Sequence, residues 1–148
     1  MPHALLDLEP GEEVLAVTPA SFRGAAATTA RATFALGSAR MRQGAFEAWR
    51  DHAREAGFPT AGPEMILAVT NQRLLAYFKT FWIGRPASLG GGLALRRIAD
   101  VASVRHGLVV GCAFALENGQ IIEVEAMRGI RLHRFARVVN EAKAAHTP

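Results

Sequence analysis

The stretch Glu64–Phe78 sets the tightest limit on what this chain can become. Two short apolar runs, Met65–Val69 and Leu74–Phe78, flank the polar tetrad Thr70-Asn71-Gln72-Arg73. Apolar runs of this length bounded by turn residues suit strands. Threonine and asparagine hydrogen-bond their own backbone locally, and asparagine tolerates the left-handed conformation that turns need. The segment therefore reads as a β-hairpin, and the rest of the chain must build a sheet around it.

Further strands follow from the same reasoning. Gly11–Thr18 reads as a first strand stopped by Pro19, and its Glu-x-Val-Leu-Ala-Val-Thr echoes Glu64–Thr70 without continuing into a repeat. Lys79–Gly92, with Gly84, Pro86 and Gly90-Gly91-Gly92, is expected to be a loop, after which Leu93–Arg96 resumes as a strand. Ile98-Ala99-Asp100 is expected to make a corner before a strand over Val101–Arg105 that ends at His106-Gly107. Val109–Leu116 and Gln120–Ala126 read as strands joined through Glu117-Asn118-Gly119, Asn-Gly being the strongest short hairpin signal. Alternation in the second of them points Ile122, Val124 and Ala126 to a core and Ile121, Glu123 and Glu125 to water.

Two helices interrupt and close this series. Between the first strand and the hairpin lies an insertion in which Ala45, Trp49, Ala53 and Ala56 recur at helical spacing beside Phe46. Ser38 as a cap and Gly57 before Phe58-Pro59 predict a helix from about Ala39 to about Ala56, with Glu47, Arg50, Asp51, Arg54 and Glu55 outward. The preceding Arg23–Leu36 is ambiguous: its alanines favour helix, whereas Thr28, Thr29 and Thr33 also suit a strand. From Gly129 to about Ala145, Leu132, Phe135, Ala136, Val139 and Ala142 form one apolar stripe, the mark of an amphipathic terminal helix.

The bulk numbers agree with a single domain of 148 residues. Half of the residues are apolar and 20% charged, which excludes a mainly disordered chain. Cys112 is the lone cysteine and lies in the apolar run Leu108–Leu116, as a small core hydrophobe would. The start, Met1–Glu9, has neither the basic nor the continuous apolar region of a secretory signal, and no apolar run reaches the roughly 20 residues of a spanning helix. The expected location is the cytoplasm, with the inner face of the membrane as an alternative station. Net charge is +4, and Lys79 and Lys143 are the only lysines among 17 basic residues. An arginine and alanine bias of this kind reflects a GC-rich bacterial genome, which weakens any reading of the charge as selected for nucleic acid.

The runs Leu67–Leu75, Ile98–Val104 and Leu116–Val124, with the final helix, resemble bacterial pleckstrin-homology-like (PH-like) domains. The resemblance implies an α+β fold, about seven antiparallel strands in a bent sandwich or partly open barrel with a C-terminal amphipathic helix, to which the spacing above adds a helical segment inserted after the first strand. It covers about residues 11–18 and 64–146 of a single domain spanning 1–148, and the insertion, about 20–60, lies outside it. Lipid-binding members of this superfold cluster basic residues around the first hairpin loop. Here that turn offers only Arg73, and the superfold also hosts peptide-binding and scaffolding roles.

Catalysis needs groups that converge, and His3, His52, His106, His133 and His146 are scattered without a motif around any of them. Gly90-Gly91-Gly92 lacks the lysine of a phosphate-binding loop, and no His or Cys pair has zinc spacing. The chain is therefore expected to be a binding or scaffolding module and not an enzyme, with no cofactor, no metal and no catalytic residue. Two candidate surfaces remain. Lys79, Phe81, Trp82 and Arg85 combine aromatics with cations, as a contact with anionic lipid or another ligand requires; the competing expectation is that Phe81, Trp82 and Ile83 pack on the Phe46 and Trp49 stripe. Arg23, Arg31, Arg40 and Arg42 form a candidate anion patch, although no nucleic-acid motif accompanies them. Expected partners are a protein, a second copy of the chain through the inserted helix, or anionic lipid; nucleic acid is not expected.

Overall fold

The computed structural model describes residues 7–25, 38–79, 86–107, 109–126 and 130–146. Seven strands form one antiparallel sheet: β1 (Val14–Phe22), β2 (Glu64–Thr70), β3 (Arg73–Lys79), β4 (Pro86–Ala94), β5 (Ile98–His106), β6 (Val109–Leu116) and β7 (Ile121–Ala126). Their spatial order is β4-β3-β2-β1-β7-β6-β5, so β4 and β5 are its two edges. Helix α1 (Ser38–Ala56) lies between β1 and β2 in sequence, and α2 (Leu132–His146) follows β7. The class is α+β.

The hairpin forms as expected, with Met65 opposite Phe78 and Val69 opposite Leu74. Its apolar runs show no strict alternation because both faces are covered. Met65, Leu67, Val69, Leu74 and Ala76 enter the main core, while Ile66, Ala68, Leu75 and Tyr77 form a second cluster on the opposite face with Leu8 and Leu89 packed against it. The two strands whose sequences echo each other, β1 and β2, lie side by side, Val17 opposite Ala68.

Three expectations about β structure need correction. β1 does not stop at Pro19 but runs to Phe22. On its far side β1 meets β7 only at Ser21 and Phe22, so Pro19 sits where one edge of the strand lacks a ladder, the setting in which a missing N–H is tolerated. The glycine run is strand and not loop, Gly91 and Gly92 pairing with Ala76 and Leu75 of β3, and glycine is needed there because Pro59-Thr60-Ala61 presses on β4: a Cβ at Gly90 would lie 2.3 Å from the Thr60 carbonyl oxygen and one at Gly91 3.3 Å from the Pro59 Cα. The corner falls one step earlier than expected, in a 3₁₀ turn over Leu95–Arg97, and Ile98-Ala99-Asp100 already belong to β5.

Helix α1 ends as its sequence predicts. Gly57 has φ +88°, and the Phe58 N–H donates to the Ala53 carbonyl at 2.8 Å while the Gly57 N–H donates to Arg54 at 3.0 Å. Residues 26–36 of the ambiguous segment and the side chain expected to cap α1, Ser38, lie outside the described residues. The α1 stripe covers this domain's own core: Phe46 meets Phe22 edge-on at 5.7 Å, and Trp49 meets Phe58 edge-on at 6.4 Å. The Trp49 indole N–H donates to the Glu123 carbonyl at 2.8 Å, tying the helix to β7.

The α2 stripe is buried at all five expected positions, Leu132, Phe135, Ala136, Val139 and Ala142. Removing side chains such as Leu132, Phe135 and Val139 from water favours docking by about 1.5–3 kcal/mol each. Cys112 is fully buried, and burial pushes its thiol up to about 12, which keeps it protonated and unreactive. No helix among the described residues is long and apolar enough to cross a membrane.

Candidate functional site

The tetrad Thr70–Arg73 is occupied by the fold itself. Arg73 grips Glu12 with two nitrogens, Nε to Oε2 at 2.9 Å and Nη2 to Oε1 at 3.0 Å, and also donates to the Asp7 carbonyl at 2.7 Å. The Thr70 hydroxyl donates to Glu12 at 2.6 Å and accepts the Gln72 and Arg73 N–H groups. Asn71 accepts the Glu13 N–H and donates to the Gly11 carbonyl. Each polar side chain of the turn except Gln72 thus fastens the chain entering β1. Burial would raise the Glu12 carboxyl, but Arg73, Thr70 and the Glu9 N–H outweigh it and hold the group down at about 2. The turn's single cation is spent inside the protein.

The loop candidate divides. Lys79 ends β3 with its ammonium 3.7 Å from Glu64, next to Phe78, which is 42% exposed. Phe81, Trp82, Ile83 and Arg85 lie outside the described residues, and with them the packing of Phe81, Trp82 and Ile83 on the Phe46 and Trp49 stripe.

The arginines of the candidate anion patch have separate settings. Arg23 bonds Glu123 at 3.0 Å and Glu125 at 3.3 Å, Arg42 reaches Glu64 at 3.6 Å, Arg40 is exposed on α1, and Arg31 lies outside the described residues. The bonds to Arg23 also correct the expectation for β7. Glu125 is buried, because Ser21 of β1 pairs beside it and Arg23 covers its carboxylate, while Glu123 is half-buried and also meets His106 at 3.4 Å. Of the other histidines, His52, His133 and His146 are exposed apart from one another. Among the described residues, no group of three His, Cys, Asp or Glu side chains could hold a metal ion.

A different site is built from backbone. On the outer edge of β5 the Asn140 side chain of α2 accepts the Val101 N–H at 3.1 Å and donates to the Val101 carbonyl at 2.7 Å. A side-chain amide here takes the place a neighbouring strand would fill. Lys143, one turn further along the helix, donates to the Ala99 carbonyl. Because alternate residues of a strand turn their N–H and C=O the same way, Ser103 and Arg105 present theirs outward like Val101. Among the described residues, nothing pairs with them. Between this edge and α2 run two adjoining hollows of about 440 and 430 Å³ that share Ser103 and His133. Arg137 and Asn140 border one, Arg105 and Arg131 the other.

Side-chain motifs could not have revealed this site, since its chemistry is main-chain. The available signal is the weakly apolar, exposed half of β5, Ala102-Ser103 and Arg105-His106, together with Asn140 at the border of the helix stripe.

No family model matches the chain, and no curated protein matches it. Among solved structures, a DUF1696 family protein with a pleckstrin-homology domain from Shewanella loihica PV-4 overlaps 53% of this chain and 70% of its own, at 14% identity and a TM-score of 0.38.

Proposed function

We propose that this chain is a non-enzymatic PH-like binding module that takes an extended segment of a partner protein as an added strand on the outer edge of β5, beside α2. The strand order, with an open edge at each end and a helix following β7, supports the partly open PH-like arrangement. The observation that carries the binding reading is the grip of Asn140 on both backbone groups of Val101. It shows that the outward N–H and C=O groups of β5 lie where a partner can reach them, and among the described residues nothing pairs with the next such groups, those of Ser103 and Arg105, beside the groove. Added strands draw affinity from main-chain hydrogen bonds and selectivity from the groove beside the edge. The meetings of titratable side chains described above fasten elements of the fold to one another, which supports a binding role over catalysis.

The test uses Ser103→Pro. Its lost N–H points away from β6, so the fold keeps its ladder, while an added strand loses an acceptor's partner and meets the proline ring. Peptides of about nine residues, roughly 30 Å when extended, selected from a random displayed library against the intact protein, should bind the variant at least tenfold more weakly at unchanged melting temperature. Equal affinity for both proteins would exclude the β5 edge.

A second reading, contact with anionic lipid through residues 79–85, is favoured by the exposure of Phe78 beside Lys79. Co-sedimentation with phosphatidylglycerol vesicles is its expected outcome, and protein left wholly in the supernatant would remove it.

A further inference from the structure

We infer that the segment received by β5 is acidic, carrying aspartate or glutamate side chains on the face turned to α2; this rests on the edge-binding reading above. The groove is lined by Arg105 from the strand itself and by Arg131, His133 and Arg137 from α2 and the residue before it. Among the described residues that line it, one carboxylate stands against them, Glu141, 3.9 Å from Arg137. Among the described residues, Arg105 and Arg131 meet no carboxylate, in contrast to Arg23, Arg42, Arg50 and Arg73, each of which has at least one. Arginine presents a planar fork that fits a carboxylate with two hydrogen bonds, and its weak hydration makes exchange of water for such a partner favourable.

Register limits the contact further. Asn140 and Lys143 already occupy Val101 and Ala99, so an incoming strand pairs only from Ser103 onward. That leaves Ser103–His106, about 13 Å of edge. So short a ladder yields few backbone bonds, and the flanking arginines supply both orientation and much of the selectivity. An acidic side chain on every second residue of the ligand would project toward α2, because successive side chains of a strand alternate between faces.

The library that tests the edge also tests its charge. Peptides selected on the wild-type protein should be enriched in aspartate and glutamate. Their affinity should fall about tenfold or more in the double variant Arg105→Gln, Arg131→Gln, and raising salt from about 0.05 to about 0.5 M should weaken the wild type more than the variant. Both arginines are exposed, so the variant keeps its fold, as circular dichroism and melting temperature would verify. Selected peptides that are neutral or basic, or that bind the double variant unchanged while losing affinity for Ser103→Pro, would overturn the acidic reading and leave the edge reading in place. Failure to select any peptide, with Ser103→Pro silent, would remove the edge itself. A dimer in light scattering that Ser103→Pro dissociates would identify a second copy as the occupant and overturn the acidic-partner inference.

Discussion

At the scale of single residues, Glu12 and Arg73 form a two-point ion pair at the entry to β1. The Glu12 carboxylate is shielded from water yet ionised, because Arg73 and Thr70 satisfy it at 2.6–3.0 Å. Its group sits at about 2 in the folded protein against 4.5 for an unperturbed glutamate. A carboxyl held low when folded contributes stability above its unfolded value and loses it on acidification. Stability from this pair should therefore be complete above pH 4.5 and decline by about 3 kcal/mol as pH falls toward 2. Urea unfolding measured across that range tests it. Glu12→Gln should flatten the decline, and Arg73→Ala should cost about 3 kcal/mol at neutral pH by leaving a shielded charge without its partner. An acid limb unchanged in Glu12→Gln would show that other carboxylates control it.

At the scale of elements, glycine means opposite things in β4 and in α1. Gly90 is pressed against the backbone of Pro59-Thr60-Ala61, where a methyl group has no room. Gly44 lies on an exposed face of α1 with nothing within 4 Å of an added Cβ. Gly90→Ala should destabilise the protein by about 1–3 kcal/mol, and Gly44→Ala should stabilise it by about 0.5–1 kcal/mol, both read from thermal or urea unfolding. Equal effects would contradict the close approach. The contrast also shows what an element's sequence can and cannot reveal. The hairpin, the Asn118-Gly119 turn, the Gly57 stop and the α2 stripe are encoded by neighbours in sequence, so local rules recover them. Pro19 within β1, the glycines within β4 and the burial of Glu125 depend on segments that arrive from elsewhere: a ladder missing on one side, a loop pressing on a strand, an arginine closing over a carboxylate. Periodicity carries no trace of those events.

At the scale of the whole molecule, the same division separates fold from site. Among the described residues, the seven strands and the placing of α1 and α2 were legible because each element carries its own periodicity, even where its ends were not. The candidate site was not, because it consists of N–H and C=O groups common to every residue, made special only by lying on an edge strand beside a helix that bonds Val101 and Ala99 and runs alongside Ser103 and Arg105. Thr70-Asn71-Gln72-Arg73 shows the reverse case: a conspicuous polar motif whose Thr70, Asn71 and Arg73 are absorbed in fastening the entry to β1. The guard on β5 has a further consequence. Asn140 and Lys143 sit in the closing turns of α2, the part of a helix that frays first on warming. Fraying there would lengthen the bare margin of the sheet from Ser103 back to Ala99, and identical molecules with long bare margins can stack edge to edge into polymers. The closing turns of α2 thus also keep part of the β5 edge covered, and heat would uncover it before it melted the core.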